Sequence, residues 1–243
     1  MKKRIVNIFL VIVLFISMYK IIERMVEYKK ADSIYNKLIE VKNNNIKYVY
    51  KVDNSKDIDN ILDLSYINED YQGWIHISNT NIDYPILQST DNLYYLNKDI
   101  NNEYLLAGSI FLDFRNNNFS DLNTVIYGHN MKDNTMFGDL DKFIDDTFAK
   151  ENIININTKS GKTLKYQVFS VYITDDNDDY INTNFNSQAE YEVFINQIQE
   201  KSIIENNIDV TSLNKIITLS TCNNSFYNAR TVVHAKLLTD ELS

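Results

Sequence analysis

The chain has 243 residues, of which 44% are hydrophobic and 12% aromatic, so it can form one large domain with a substantial core. Its formal net charge of -9 argues against a nucleic-acid-binding protein, which would need a basic surface to replace phosphate counterions. A single cysteine excludes a disulfide framework and a multi-cysteine metal site, and the sequence predicts neither a metal nor a cofactor.

The N-terminus has the pattern of a membrane anchor. A basic flank at residues 1–4 precedes a largely apolar run over residues 5–22, and a bilayer-spanning helix needs ~17–25 such residues. No small-residue cleavage site follows the run, which favours an uncleaved signal anchor over a cleaved signal peptide. We predict that residues 1–4 are cytoplasmic, that residues 5–22 span the cell membrane once, and that the rest is extracellular.

Residues 23–57 are predicted to form an extracellular helix and a linker. Apolar and charged residues recur at helical spacing over residues 21–44, without glycine or proline. The polar stretch 47–60 is typical of a linker, and residues 58–68 have a short helical pattern. We expect the main folded domain over residues 58–243.

From Gln72 the pattern changes to short strands bounded by polar turns. The strands are predicted over residues 73–78, 80–88, 108–114, 123–129, 153–158, 163–174, 214–222 and 229–238. The only proline, Pro85, suits a sheet edge or a strand start. Residues 187–204 predict a helix with one apolar face, formed by Tyr191, Phe194, Ile195 and Ile198. Together these elements predict a mostly β protein built as a closed or nearly closed barrel.

Cys222 ends one apolar run, and Arg230 opens the next one eight residues later. If the two runs pair as an antiparallel hairpin, both side chains lie near each other on the more polar face. A buried, unreactive cysteine is the alternative, but that position is poorly suited to a core residue. A reactive thiol needs a base or a positive charge beside it to form the thiolate.

Three histidines could serve as that base. His76 and His234 lie in the middle of predicted strands, where structural or surface roles are expected. His129 follows a strand and a glycine, a position from which a side chain can project into a groove. We predict that His129 is the base and that Arg230 orients a substrate carbonyl or stabilises an oxyanion.

These motifs together resemble the sortase family, and the finer pattern resembles class B. The similarity is carried by TLSTC followed by Arg230, by AGSIFLDFRN and by TVIYGHNMKDNTMFGDL, and it covers about residues 60–238. The resemblance implies a closed eight-stranded β-barrel with N-terminal helices and a helix inserted before the penultimate strand. It also implies a transpeptidase on the extracellular face of a Gram-positive bacterium.

In such an enzyme Cys222 would attack the threonine carbonyl of a C-terminal sorting motif in a secreted protein, forming a thioester. His129 would exchange protons with the leaving and incoming amines, Arg230 would bind the substrate or oxyanion, and a peptidoglycan precursor amine would accept the protein. The resemblance assigns substrate binding to Asn92, Leu96, Tyr180, Ile181, Ser220 and Thr221. The loop over residues 223–229 is shorter than in certain relatives, so the motif preference does not carry over.

Three other functions remain open: a pilin-polymerising sortase, a thiol peptidase and a non-catalytic binder of sorting peptides. The acidic stretch 175–186 does not fit a calcium loop, because Tyr180 and Asn186 occupy the positions that need glycine and glutamate. We predict a solvated loop there, and a structural hydrogen-bonding role for Asp113.

Overall fold

A computed structural model describes residues 2–52, 62–205, 208–223, 225 and 227–242. Within these residues eight strands close into one barrel, in the order β1-β2-β3-β4-β7-β8-β6-β5. The strands are β1 (Tyr71–Ile77), β2 (Asp83–Leu87), β3 (Ile110–Leu112), β4 (Asn123–Tyr127), β5 (Ile153–Thr158), β6 (Lys162–Asp175), β7 (Ile216–Cys222) and β8 (Ala229–Leu242). The predicted mostly β, closed eight-stranded barrel is confirmed.

Two of the neighbouring pairs are parallel, β2 with β3 and β4 with β7, and the other six are antiparallel. Pro85 lies in the middle of β2 rather than at an edge or a strand start. It is opposite Trp74 of β1, and the pairing of β2 with β3 begins only at Ile86. The barrel therefore accommodates a residue without an N–H at a point where β2 has not yet met β3.

Both faces of β7 and β8 are buried. Ile217, Leu219 and Val233 belong to the main core, whereas Ile216 and Val232 belong to a second cluster. The second cluster is covered by α3 (Gln188–Glu200) through the predicted face of Tyr191, Phe194, Ile195 and Ile198. Burial on both sides explains why these two strands are almost continuously apolar in sequence.

The N-terminal region is one continuous helix, α1 (Lys2–Val52). Its first part, up to Val26, exposes large apolar side chains, and it is long and apolar enough to cross a membrane. Its later part docks on the barrel through Ala31, Tyr35 and Leu38, which are spaced along one helical face and buried. The apolar segment over residues 5–22 and the predicted helix over residues 21–44 therefore belong to one continuous helix.

Two predictions for the region before the barrel are wrong. Residues 47–52 are helical rather than part of a linker; residues 53–60 lie outside the described part. Residues 62–68 form a turn and no helix, while 58–61 lie outside the described part as well. The Asp63 carboxylate accepts from the backbone N–H of Ser65, and the Asn68 amide donates to the Ile100 carbonyl. Such local side-chain bonds compete with helix formation.

Candidate active site

Three adjacent strands bring the predicted catalytic residues into one row. Tyr127, the last residue of β4, is paired with Ser220 of the parallel strand β7, so two residues further His129 and Cys222 leave the same end of both strands. Cys222 is directly opposite Arg230 of the antiparallel strand β8. Cys222 therefore lies between the other two, and the predicted proximity of Cys222 and Arg230 is confirmed.

The thiol is exposed and contacts the guanidinium directly. Arg230 Nη1 lies 3.1 Å from Cys222 Sγ. The other terminal nitrogen of Arg230, Nη2, donates to Asp176 Oδ2 over 3.5 Å. The alternative of a buried cysteine is therefore wrong for Cys222. Asp176, which the sequence reasoning missed, holds the far side of the guanidinium while the near side faces the sulfur.

The His129 ring is oriented by a backbone carbonyl. Its Nε2 lies 2.6 Å from the carbonyl oxygen of Leu96. A carbonyl can only accept, so Nε2 carries the hydrogen and Nδ1 is the nitrogen left to exchange a proton. The neighbouring Asn130 was also missed as a site residue; its Nδ2 donates to the Cys222 carbonyl over 2.9 Å and ties the ends of β4 and β7 together.

A cleft of about 260 Å³ opens over this row. All nine site residues predicted from the sequence line it: Asn92, Leu96, His129, Tyr180, Ile181, Ser220, Thr221, Cys222 and Arg230. Four further residues complete the lining, namely Phe111, Tyr127, Gly128 and Asp176. The lining thus combines apolar and aromatic side chains with polar and charged ones.

One wall of the cleft is organised by the buried carboxylate of Asp113. It accepts from Arg115 Nε and Nη2 at 2.8 and 2.7 Å, from Tyr127 Oη at 2.9 Å and from Asn92 Nδ2 at 3.0 Å. Burial alone would raise the pKa of Asp113, but these hydrogen bonds outweigh it and hold the pKa below its ordinary value. Arg115 Nη2 also donates to the Ile181 carbonyl over 2.9 Å, so one ion pair fixes both Asn92 and Ile181.

The floor of the cleft holds three hydroxyl groups. Tyr180 Oη and Ser220 Oγ lie 3.0 Å apart and both residues are buried. Burial raises the pKa of Tyr180, so the phenol stays neutral. Among the described residues Thr221 Oγ1 is buried without a hydrogen-bond partner. The Thr221 hydroxyl thus lacks the hydrogen bond that buried polar groups normally make.

A family model for the sortase domain matches residues 75–238. The chain belongs to the sortase family. It is 43% identical over 185 residues to sortase B of Listeria monocytogenes serovar 1/2a. That alignment covers 74% of this chain and 75% of the Listeria protein. It is 37% identical to sortase B of Staphylococcus aureus, with 96% of both chains covered.

A solved structure of Staphylococcus aureus sortase B with a substrate matches with a TM-score of 0.78 and 35% identity, over 89% of this chain and 100% of that one. The resemblance to class B sortases is therefore confirmed.

The two remaining histidines of this sortase have structural or surface roles, as predicted. His234 is buried, with Nε2 2.9 Å from Tyr172 Oη and Nδ1 2.9 Å from Thr218 Oγ1. Burial lowers the pKa of His234 to about 3, so it stays neutral. His76 is partly exposed, with Nδ1 3.4 Å from Asp83 Oδ1. Neither residue lines the cleft of this sortase.

The acidic stretch of the sortase, residues 175–186, is tied by local contacts. Asp178 pairs with Lys201 and accepts from Thr174 Oγ1 over 2.6 Å. Within the described part of the chain, no group of three or more His, Cys, Asp or Glu residues is arranged to hold a metal ion.

Proposed function

We propose that this sortase is a membrane-anchored cysteine transpeptidase that attaches secreted proteins to the cell wall. The observation that carries the proposal is the row of His129, Cys222 and Arg230 across β4, β7 and β8, beneath one cleft. A thiol nucleophile, a base and a fixed cationic donor side by side can together perform acyl transfer.

In the first half-reaction the Cys222 thiol gives its proton to His129 Nδ1, and the resulting thiolate attacks the threonine carbonyl carbon of the sorting motif. Arg230, 3.1 Å from the sulfur, is close enough to donate to the oxyanion that forms there. The tetrahedral intermediate collapses as His129 gives its Nδ1 proton to the leaving amine. The C–N bond breaks and a thioester to Cys222 remains.

In the second half-reaction an amine of a peptidoglycan precursor attacks the thioester carbonyl. His129 takes a proton from this amine at Nδ1, a new amide bond forms, and Cys222 leaves as the thiolate. The Leu96 carbonyl accepts from Nε2 throughout and keeps the ring oriented for both transfers.

The substrate is proposed to bind as an extended peptide against Asn92, Leu96, Tyr180, Ile181, Ser220 and Thr221. Support comes from the way these side chains share one cleft with the thiol. Thr221 contributes a buried hydroxyl that the described residues leave unpaired, and Asn92 and Ile181 are held in place by Arg115 and Asp113.

Membrane attachment is proposed through the first part of α1. The basic flank 1–4 would lie in the cytoplasm, residues 5–22 would span the membrane, and the barrel domain over residues 58–243 would lie outside the cell. The exposed apolar surface of α1 supports this arrangement, since a side-chain set of that kind is stable in lipid rather than in water.

The test uses the full chain in detergent micelles, a library of sorting-type peptides and an amine-bearing acceptor peptide. Mass spectrometry should detect cleavage after threonine with the acceptor joined to the new C-terminus. Cys222→Ala and His129→Ala should lower turnover by at least ~1,000-fold, whereas His76→Ala, the matched histidine control, should retain it. A fully active Cys222→Ala variant would disprove the mechanism.

The product also separates the open alternatives. A free acid in the presence of the acceptor indicates a thiol peptidase, and a preference for lysine side chains as acceptors indicates pilin polymerisation. Peptide binding without an acyl-enzyme indicates a non-catalytic binder.

A further inference from the structure

The docked part of α1 contacts the backbone that supports the candidate base. Tyr35 is buried, and its hydroxyl donates to the carbonyl of Gly108 over 2.6 Å. The same hydroxyl lies 3.4 Å from Ser109 Oγ. The backbone N–H of Ser109 in turn donates to the Tyr95 carbonyl over 3.0 Å. The helix is thus hydrogen-bonded to the segment that leads into β3.

The backbone of Gly108 packs directly against the carbonyl of Leu96, with no side chain between them. It has a φ of +60°, and a Cβ atom added there would lie 2.5 Å from the Leu96 carbonyl oxygen and 2.7 Å from that of Tyr95. No side chain fits into that gap. A displacement of the Gly108 backbone must therefore move the Leu96 carbonyl, or leave a void behind it.

The Leu96 carbonyl is the group that orients the candidate base. It accepts from His129 Nε2 over 2.6 Å and sets which nitrogen carries the hydrogen. The path from α1 to the imidazole is therefore short: Tyr35 Oη, the Gly108 backbone, the Leu96 carbonyl and His129 Nε2.

A second path leads from Tyr35 to the other side of His129. The Tyr35 ring packs edge-on against Tyr84, with ring centroids 5.0 Å apart. Tyr84 Oη accepts from the backbone N–H of Met136 over 3.1 Å. The next residue, Phe137, donates its N–H to the His129 carbonyl over 2.9 Å. Tyr35 thus supports both the ring and the backbone of His129.

We propose that Tyr35 is a positioning residue for His129, so that docking of α1 sets the geometry of the catalytic base. The proposal rests on the proposed function, in which His129 exchanges protons with the substrate amines. Because α1 is one continuous helix from Lys2 to Val52, the apolar segment proposed to lie in the membrane and the residue that supports the base belong to the same helix.

The experiment compares the full chain with its Tyr35→Phe variant in detergent micelles, with ¹⁵N-labelled histidine. The chain has three histidines, so each imidazole can be assigned by substituting the other two. In the wild type, His129 Nε2–H should give a downfield proton signal that exchanges slowly with water. Tyr35→Phe should lose or broaden this signal and lower kcat ~10-fold, since small misplacements of catalytic groups are costly, with KM changed less than ~2-fold.

Three internal controls separate positioning from a general loss of stability. The buried His234 reports the fold, and His76 reports helix docking through Asp83, which also pairs with Lys42 of α1; both signals should stay unchanged. Tyr71→Phe is the matched variant, because Tyr71 is also a buried phenol donating to a backbone carbonyl, that of Leu62 over 2.9 Å. It should leave kcat and the His129 signal unchanged.

An unchanged His129 signal and an unchanged kcat in Tyr35→Phe would overturn the proposal, as would equal effects of Tyr71→Phe. If the wild type transfers no peptide, the proposed function fails. The histidine spectra then still decide whether Tyr35 positions His129.

Discussion

Replacing Arg115 would leave a buried carboxylate with too few partners. Arg115→Met keeps the aliphatic stem but deletes two hydrogen bonds to Asp113, of 2.8 and 2.7 Å. Hydrogen bonds to charged groups contribute ~1.5–3 kcal/mol each, and breaking a buried ion pair costs ~3–5 kcal/mol. Asn92 and Tyr127 still donate to the carboxylate, and the Arg115 side chain is 35% exposed. We therefore expect the free energy of unfolding to fall by ~2–3 kcal/mol at neutral pH.

This loss should depend on pH because Asp113 titrates differently in the folded and unfolded chains. Its folded pKa lies below its unfolded value. The stability it contributes is therefore fully present above an unfolded pKa of ~3.9 and is lost as the pH falls through the folded pKa. Without Arg115 the folded pKa moves upward. The difference in unfolding free energy between wild type and variant should then shrink as the pH falls below ~4.

Urea titration of the full chain in detergent, followed by tryptophan fluorescence, measures the effect. Trp74 is the only tryptophan and is buried in β1, so its signal reports unfolding of the barrel. The double variant Asp113→Asn/Arg115→Met buries no charge and should recover about half of the loss. A loss below ~0.5 kcal/mol, the range of an ordinary surface substitution, or an equal loss in acid and at neutral pH, would refute the reasoning.

Two further predictions concern the buried polar groups of β7 and β8. Burial lowers the pKa of His234 to about 3, whereas an unfolded histidine has a pKa of ~6.5. Between these two values the unfolded chain binds a proton that the folded chain does not. The free energy of unfolding should therefore fall on acidification by up to ~1.4 kcal/mol per pH unit. Urea titrations between pH 7 and 5 should show a smaller fall for His234→Gln, and an equal fall would contradict this assignment. Thr221→Val should keep or raise Tm, because the hydroxyl is unpaired among the described residues, yet raise KM for the sorting peptide. The matched variant Thr218→Val removes a hydroxyl bonded to Asn123 and His234, so it should lower Tm. An unchanged KM in Thr221→Val would exclude a substrate role for the Thr221 hydroxyl.

Local sequence patterns predicted most strands of the barrel well. The predicted strand over residues 153–158 has the same bounds as β5, because alternating apolar residues and turn signals act over short distances. Cys222 and Arg230 could be brought together for the same reason, since a hairpin fixes which residues face each other.

Contacts between distant segments could not be predicted in this way. Asp176 and Asn130 gain their roles only when the ends of β4, β6 and β8 meet around Cys222. The Asp113 carboxylate was expected to have a structural role, but its control of Asn92 and Ile181 depends on three separate loops. Nothing in the polar stretch after residue 46 breaks a helix, so α1 extends to Val52 where composition alone suggested a linker.

The parallel pairing of β4 with β7 has a consequence for how activity appears during folding. Asn130 and Cys222, which bond across it, are 92 residues apart in the chain. Contacts of such high sequence separation carry a large loop-closure entropy and form late. The thiol therefore meets its proposed base, His129, only once β7 has paired with β4. A partly folded chain carries an unassisted cysteine, and the proposed transpeptidase activity should return only with the slowest phase of refolding.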